Sequence, residues 1–99
     1  MAEQGRIPEA EIKAALEGLP GWKVLDAKLH REYRFADFVH AFAFIAAAAA
    51  LAEAMGHHPE WSNVYNRVTV DLTTHDAGGI TAKDLELAAR LEEIARKLE

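Results

Sequence analysis

The chain has 99 residues, of which 51% are hydrophobic and 27% are charged. This length favours a single domain over residues 1–99, because two hydrophobic cores would each be too small. Eleven basic and 16 acidic residues give a net charge of −5 with histidine neutral, which argues against direct binding to nucleic acid or to an anionic membrane surface. Since the chain has no cysteine, it can form no disulfide, thiolate nucleophile, cysteine-ligated zinc site or iron–sulfur cluster.

The sequence predicts a soluble, cytoplasmic protein. Residues 1–7 contain no apolar run of signal-peptide length. The most apolar stretch, residues 41–52, is mostly alanine, and it is shorter than the roughly 20 apolar residues that a membrane-spanning helix needs. The lack of cysteine also fits a reducing compartment.

Two elements are predicted before residue 36. A helix over residues 8–18 has Pro8 at its first helical position, and a Gly-Leu-Pro-Gly sequence ends it. Apolar and polar residues then alternate over 22–25 and 29–35, on both sides of a short polar break, which predicts a β-hairpin. Arg31 interrupts the apolar parity of the second strand, which indicates a position near the edge of the sheet.

A long helix is predicted over residues 36–56, where the apolar residues change to helical spacing. Gly56 suits its C-cap, and Pro59 prevents the helix from continuing. The helix should therefore deliver its C-terminus to a Gly-His-His-Pro sequence. Its predicted buried face consists of Phe38, Phe42, Ile45, Ala49 and Ala52.

A second hairpin and a last helix complete the predicted elements. Residues 61–65 and 67–74 are predicted strands joined by a turn at Asn66. After a glycine-containing loop, Thr81 and Asp84 match a capping box at the start of an amphipathic helix that runs to the C-terminus.

The element order α-β-β-α-β-β-α predicts an α+β fold of two layers. A four-stranded antiparallel sheet would carry its helices on one face and leave a polar face uncovered. The free edge strands of such a sheet make pairing with another copy of the chain a natural expectation.

Three histidines stand at the ends of predicted elements, where functional side chains are often presented. His57 and His58 lie between a helix end and a proline, and His75 ends a strand. Glu53 precedes His57 by four residues, so its carboxylate could orient that imidazole if the last helical turn persists. Imidazole is the side chain whose ordinary titration falls near neutral pH, so the three histidines favour acid–base chemistry.

Metal binding is the other use that three histidines suggest. Adjacent histidines seldom both bind one ion, and no HExxH pattern or cysteine ligand supports such a site. We therefore expect no metal, and a metal-dependent binding module is the weaker hypothesis.

Other polar and aromatic residues have both a functional and a structural interpretation. Trp61 could stack on a flat heterocycle or pack on the sheet, whereas for Tyr65 the packing interpretation is favoured. Asp84 is expected to cap its helix, and Glu53 is expected to support a histidine.

The spacing of these residues resembles the signature of the pterin-4a-carbinolamine dehydratases, also called 4a-hydroxytetrahydrobiopterin dehydratases. The likeness covers almost the whole chain and includes the Leu-Pro-Gly-Trp sequence at 19–22, the segment 57–66 and the Thr-Thr-His-Asp sequence at 73–76. One departure is Gly56, where animal members carry an acidic residue. The matching motif runs through Glu53, His57, His58, Pro59, Tyr65, His75 and Asp84.

The resemblance implies dehydration of a 4a-hydroxytetrahydropterin to the quinonoid dihydropterin, which recycles the pterin after an aromatic amino acid hydroxylase has used it. It implies no metal and no separate cofactor, because the pterin is the substrate, and it implies a homodimer or a homotetramer. The family's catalytic positions fall on His57, His58 and His75, with Glu53 and Asp84 as supporting residues. Expected substrate contacts, with Trp61 added from its stacking interpretation, are Gly56, His57, His58, Trp61, Thr73, Thr74, His75 and Asp76.

The resemblance also leaves a non-enzymatic role open. Animal members of the family serve as a dimerisation cofactor for a homeodomain transcription factor, and some relatives in photosynthetic organisms resemble carboxylase assembly factors. Those assembly factors have lost part of the histidine set, which this chain retains in full. A dehydratase is therefore the preferred hypothesis, and a protein-binding role is the alternative.

Overall fold

The computed structural model describes residues 5–99 and confirms the predicted order α-β-β-α-β-β-α. A short 3-10 turn, His75–Ala77, precedes the last helix. The helices are α1 (Glu9–Leu16), α2 (Phe38–Met55) and α3 (Ala82–Leu98), and the strands are β1 (Lys23–Leu25), β2 (Lys28–Arg34), β3 (Glu60–Val64) and β4 (Arg67–Leu72).

The four strands form one antiparallel sheet in the order β1-β2-β4-β3, as the two-layer α+β fold requires. Leu29 of β2 pairs with Leu72 of β4, and Tyr33 pairs with Val68. These side chains are buried under the helices, while the alternate residues of β4 stay partly exposed. The sheet therefore has one core face and one polar face, which is the usual consequence of two-residue periodicity.

The turns of both hairpins are two residues long. Asp26 and Ala27 join β1 to β2 with φ of 53° and 64°, the left-handed conformation that tight hairpins require. Tyr65 and Asn66 join β3 to β4, and Tyr65 has φ of 52°. The packing interpretation of Tyr65 was wrong, because the side chain lies at this turn and is 64% exposed.

Arg31 lies near an edge of the sheet, as its position in the pattern predicted, because the short β1 does not cover this part of β2. Strand β2 is an inner strand, and Arg31 pairs with Val70 of β4. On its other side β1 has already ended, since that strand pairs only as far as His30. The guanidinium lies over the ring of Tyr33, 4.1 Å from its centroid, and 3.6 Å from the carboxylate of Glu92. Arg31 can face the core because these two groups compensate its charge.

Helix α1 begins one residue later than the sequence predicted. Pro8 has an extended conformation with ψ of 148° and is the N-cap, so Glu9 is the first helical residue. Ile12 is the residue of α1 that is buried in the core.

Helix α2 begins two residues later and ends one residue earlier than predicted, and it buries a different face. Phe38 and Phe42 are 48% and 54% exposed, and Ala49 is exposed as well, while Ala52 is buried as predicted. The error arises because the helix is apolar on all sides, so periodicity cannot single out one face. The side chains that α2 buries are Ala41, Phe44, Ala48 and Ala52.

Phe44 is the large side chain through which α2 contacts the core. Its ring centroid lies 4.9 Å from that of Tyr33 and 5.2 Å from that of Phe35. By length and composition α2 is also, within residues 5–99, the one helix that could cross a membrane. Its buried alanines, Ala41, Ala48 and Ala52, let one face of the helix pack closely on α3 and the sheet, while most of its residues stay exposed.

A buried carboxylate joins α3 to the sheet. Glu92 accepts hydrogen bonds from Trp22 Nε1 at 3.1 Å and from the Tyr33 hydroxyl at 2.7 Å. Burial and this bond to Glu92 raise the pKa of Tyr33 well above its ordinary value. The tyrosine therefore stays neutral and remains a donor to the carboxylate.

We predict that Tyr33→Phe lowers the free energy of unfolding by about 1–3 kcal/mol, because it removes a donor from a buried charged acceptor. Urea denaturation measures this value. The matched control is Tyr65→Phe, which removes a hydroxyl from an exposed ring and should change the free energy of unfolding by less than about 0.5 kcal/mol. Equal effects of the two substitutions would contradict the importance of the Glu92 contact.

Candidate active site

Four element ends meet at one end of the sheet and enclose a cavity of about 440 Å³. Helix α2 ends there and β3 begins, while β4 ends and α3 begins. The volume is within the range of small-molecule sites. The walls are formed by Gly56, His57, His58, Pro59, Glu60, Thr73, Thr74, His75, Asp76 and Lys83.

The sequence of α2 explains why its C-terminus opens into this cavity. Gly56 has φ of 67°, the left-handed conformation of a helix C-cap, and the amide of His57 still bonds to the carbonyl of Ala52. The chain then leaves the helix, and Pro59 leads it into β3. This reversal directs His57 to Asp84 and leaves His58 within reach of Glu53 on the last turn of α2.

His57 is the buried histidine of the site, with 10% of its side chain exposed. Its Nε2 lies 2.5 Å from Oδ1 of Asp84, which is completely buried. The other oxygen of Asp84 accepts hydrogen bonds from the Thr81 amide and the Thr74 hydroxyl, both at 2.8 Å. The carboxylate is therefore satisfied on both oxygens, as a buried charge must be.

The capping box predicted at the start of α3 is confirmed. Thr81 accepts from the amide of Lys83, and Asp84 accepts from the amide of Thr81. Asp84 thus caps the helix with one oxygen and holds His57 with the other. Asp84 therefore has both of the roles that the sequence suggested, since it caps α3 and supports a histidine.

The expected pairing of Glu53 with His57 was wrong. Glu53 Oε1 lies 2.9 Å from Nε2 of His58, and both side chains are exposed. Because Gly56 ends the helix, His57 no longer lies one turn above Glu53, and the following histidine takes that place. An exposed pair of this kind is screened by water and holds its geometry weakly.

His75 lies on the 3-10 turn that follows β4, and 79% of its side chain is exposed. Its Nε2 lies 3.2 Å from Oε2 of Glu60, the first residue of β3. The other oxygen of Glu60 accepts from Lys28 Nζ at 2.6 Å. The hydrogen bond from Lys28 lowers the pKa of Glu60, so the carboxylate is ionised at neutral pH.

The three histidines share one arrangement, in which Nε2 contacts a carboxylate and Nδ1 is the remaining ring nitrogen. A carboxylate accepts the proton of Nε2, so the neutral imidazole keeps its lone pair on Nδ1. Such a ring can take a proton at Nδ1 or, once protonated, give it back. The three carboxylates come from α2, β3 and α3.

Most of the predicted contact residues line the cavity. Two of them differ from the expectation: Thr74 is buried in the wall, and Trp61 lies outside it. Gly56, Thr73 and Asp76 are in its walls. Thr74 is also there, although it is buried and its hydroxyl bonds to Thr81 and Asp84. Trp61 is outside the walls and packs against the core from β3, opposite Val70.

Sequence reasoning missed two charged residues of the cavity, Glu60 and Lys83. Glu60 directly follows the Gly-His-His-Pro sequence, so its position next to the two histidines could have identified it as a residue of the site. Lys83 lies inside the capping box and was assigned no role of its own. Within residues 5–99, no group of three or more histidine, aspartate or glutamate side chains is arranged to hold a metal ion.

Comparison with known proteins places this site in a family. The family model described as pterin 4 alpha carbinolamine dehydratase matches residues 5–94. A Solibacter usitatus protein, provisionally named pterin-4-alpha-carbinolamine dehydratase, is 63% identical over 90 residues, covering 91% of this chain and 95% of its own. A protein of the same provisional name from Rhizobium leguminosarum is 48% identical over 94 residues, covering 93% of each chain.

Two solved structures are also similar. A transcriptional coactivator/pterin dehydratase from Brucella melitensis has a TM-score of 0.89 and 44% identity, covering 92% of this chain and 99% of its own. A pterin dehydratase-like RuBisCO assembly factor of the alpha-carboxysome has a TM-score of 0.62 and 25% identity, covering 75% and 86%. The resemblance seen in the sequence is thus confirmed: the chain belongs to the pterin-4-alpha-carbinolamine dehydratase family.

Proposed function

We propose that the protein dehydrates 4a-hydroxytetrahydropterin to quinonoid dihydropterin and water. The observation that carries this proposal is the cavity around three histidines, each held at Nε2 by a carboxylate. Membership of the dehydratase family supports the substrate class. The reaction would recycle a tetrahydropterin after an aromatic amino acid hydroxylase has used it.

The chemistry asks for two proton transfers. The C4a–O bond breaks, and a general acid protonates the departing hydroxide so that it leaves as water. The lone pair on N5 forms the N5–C4a double bond, and a base removes the proton from N5. Positioned imidazoles can serve both steps and typically contribute about 10²- to 10⁴-fold to the rate.

We assign the proton transfers to His57 and His75, and the holding of the pterin chiefly to His58. This division is supported by the partners of the rings. His57 is fixed by a buried carboxylate and His75 by a carboxylate that is itself paired with a lysine, whereas the His58–Glu53 pair is exposed on both sides. Gly56, Thr73 and Asp76 are the proposed pterin contacts in the walls.

No separate cofactor or metal enters this mechanism, because the pterin is the substrate and side chains serve as both the general acid and the general base. We further propose a cytoplasmic location and a homodimer or homotetramer. Self-association is supported by exposed apolar side chains in the first turns of α2, where Val39 is 71% exposed beside Phe38 and Phe42. Apolar clusters of this kind commonly mark protein contacts.

The exposed apolar side chains of α2 also favour the second candidate function, a non-enzymatic role through protein contacts. A partner-binding protein would use the exposed face of α2 and would not need three carboxylate-held histidines. The two candidates are separated by the stopped-flow experiment below, because only the first predicts accelerated dehydration.

We predict that the protein accelerates 4a-hydroxytetrahydropterin dehydration beyond the spontaneous rate, followed by absorbance of the quinonoid product in stopped flow. His57→Ala and His75→Ala should each lower turnover by about 10²-fold or more. His75 is exposed, so its variant should keep the fold, which circular dichroism checks. The control is His40→Ala, on the exposed surface of α2 away from the cavity. Turnover near that of the wild type in both site variants would refute the assignment.

We predict that Asp84→Asn lowers turnover at least about tenfold, because an amide can donate to Nε2 and so favour the wrong tautomer of His57. The free energy of unfolding should also fall, by about 1–2 kcal/mol, because the charged cap of α3 is lost. The comparison variant is Glu53→Gln, which perturbs an exposed pair and should change turnover by less than about threefold.

Urea denaturation separates the two effects of Asp84→Asn, since turnover is compared under conditions where every variant is fully folded. Equal losses of turnover in Asp84→Asn and Glu53→Gln would contradict the distinction between the buried and the exposed carboxylate.

A further inference from the structure

The carboxylate of Glu60 bridges a lysine outside the cavity to a histidine inside it. Oε1 lies 2.6 Å from Lys28 Nζ, and Oε2 lies 3.2 Å from Nε2 of His75. Glu60 begins β3 and Lys28 begins β2, and β4 lies between these strands in the sheet. Lys28 therefore reaches across the end of β4, where that strand stops at Leu72.

We propose that Glu60 and Lys28 are positioning residues for His75. In this arrangement Glu60 orients the imidazole through Nε2, and Lys28 fixes the carboxylate that does so. The proposal rests on the dehydration function assigned above, since it concerns how one of its proton-transfer residues is held in place.

His75 needs such a support because little else restrains its ring. The side chain is 79% exposed, and its backbone lies in a three-residue 3-10 turn that ends at Gly78 in the left-handed conformation. His57, in contrast, is buried against Asp84. An exposed imidazole without a fixed partner samples several rotamers, so the fraction of time in the productive geometry depends on its contact with Glu60.

The charges around the bridge keep it intact at neutral pH. The bond to Glu60 raises the pKa of Lys28, and the nearby charges of Asp71 and Asp26 act in the same direction. The bond from Lys28 lowers the pKa of Glu60, and His75 lowers it further. Both members stay ionised over the range in which imidazole titrates, so Glu60 can accept from His75 in either protonation state.

Lys28 differs from an ordinary surface lysine because its ammonium group contacts the same carboxylate as the ring of His75. Each oxygen of Glu60 has its own partner, so removal of Lys28 frees the carboxylate to rotate about its side chain. An exposed ion pair of this kind adds little to folding stability. Its loss should therefore appear in the catalytic rate while the fold remains as stable as before.

The test compares Lys28→Met with Lys28→Arg and with the control Lys23→Met. Lys23 is an exposed lysine of the neighbouring strand with no ion pair among the described residues. We expect Lys28→Met to lower kcat about three- to fivefold with KM unchanged, as loss of a part-exposed pair allows. Lys28→Arg should restore most of kcat, and Lys23→Met should leave it unaltered. Glu60→Gln should lower kcat further than Lys28→Met does.

A substrate-free measurement accompanies the kinetics. The ring-proton NMR resonances of His75 should shift in Lys28→Met and in Glu60→Gln, and they should stay in place in Lys23→Met. Unshifted resonances together with an unchanged kcat in Lys28→Met would overturn the proposal, and so would a Lys28→Arg variant as impaired as Lys28→Met. If the wild type shows no dehydration, the proposed function fails, whereas the NMR comparison still decides whether Lys28 and Glu60 hold His75.

Discussion

The buried carboxylate of Asp84 is the interaction on which both the fold and the site depend. One oxygen faces His57, and the other accepts from the Thr81 amide and the Thr74 hydroxyl. The start of α3, the end of β4 and the segment after α2 are thereby joined at a single charge. The buried carboxylate of Asp84 is stable here because all of these contacts are made. The geometry of His57 and the stability of the first turn of α3 therefore depend on the same side chain.

The three histidines lie around one cavity and differ in how far they are buried. His57 is fixed within the protein, His75 contacts Glu60 at the start of β3, and His58 contacts the exposed carboxylate of Glu53. In the proposed dehydration, a water molecule leaves the site and a proton exchanges with solvent after each turnover. A buried ring and an exposed ring would then meet different needs, one for orientation and one for exchange.

Sequence periodicity was sufficient for the elements of this fold and for the residues at their ends. It located the helix that stops at Gly56 and the capping box at Thr81, since both depend on local backbone chemistry. It failed for the face of α2, because a helix that is apolar on all sides carries no moment to orient it. It also failed for the partner of His57, which lies 27 residues away along the chain, because only the packed tertiary structure brings Asp84 to that ring.

Helix α2 has a different surface near each of its ends, the histidine cavity at its C-terminus and exposed apolar side chains at its N-terminus. The candidate active site lies at the Gly56 end, and the exposed phenylalanines lie towards the opposite end, about 21–27 Å away along a helix of 1.5 Å rise per residue. Substitutions at one end leave the contacts of the other unchanged at this distance. One solved relative is described as a coactivator and dehydratase and another as a RuBisCO assembly factor. A common fold can support such different roles, because in this chain the histidine cavity adjoins one end of α2 while the exposed apolar side chains lie towards its other end.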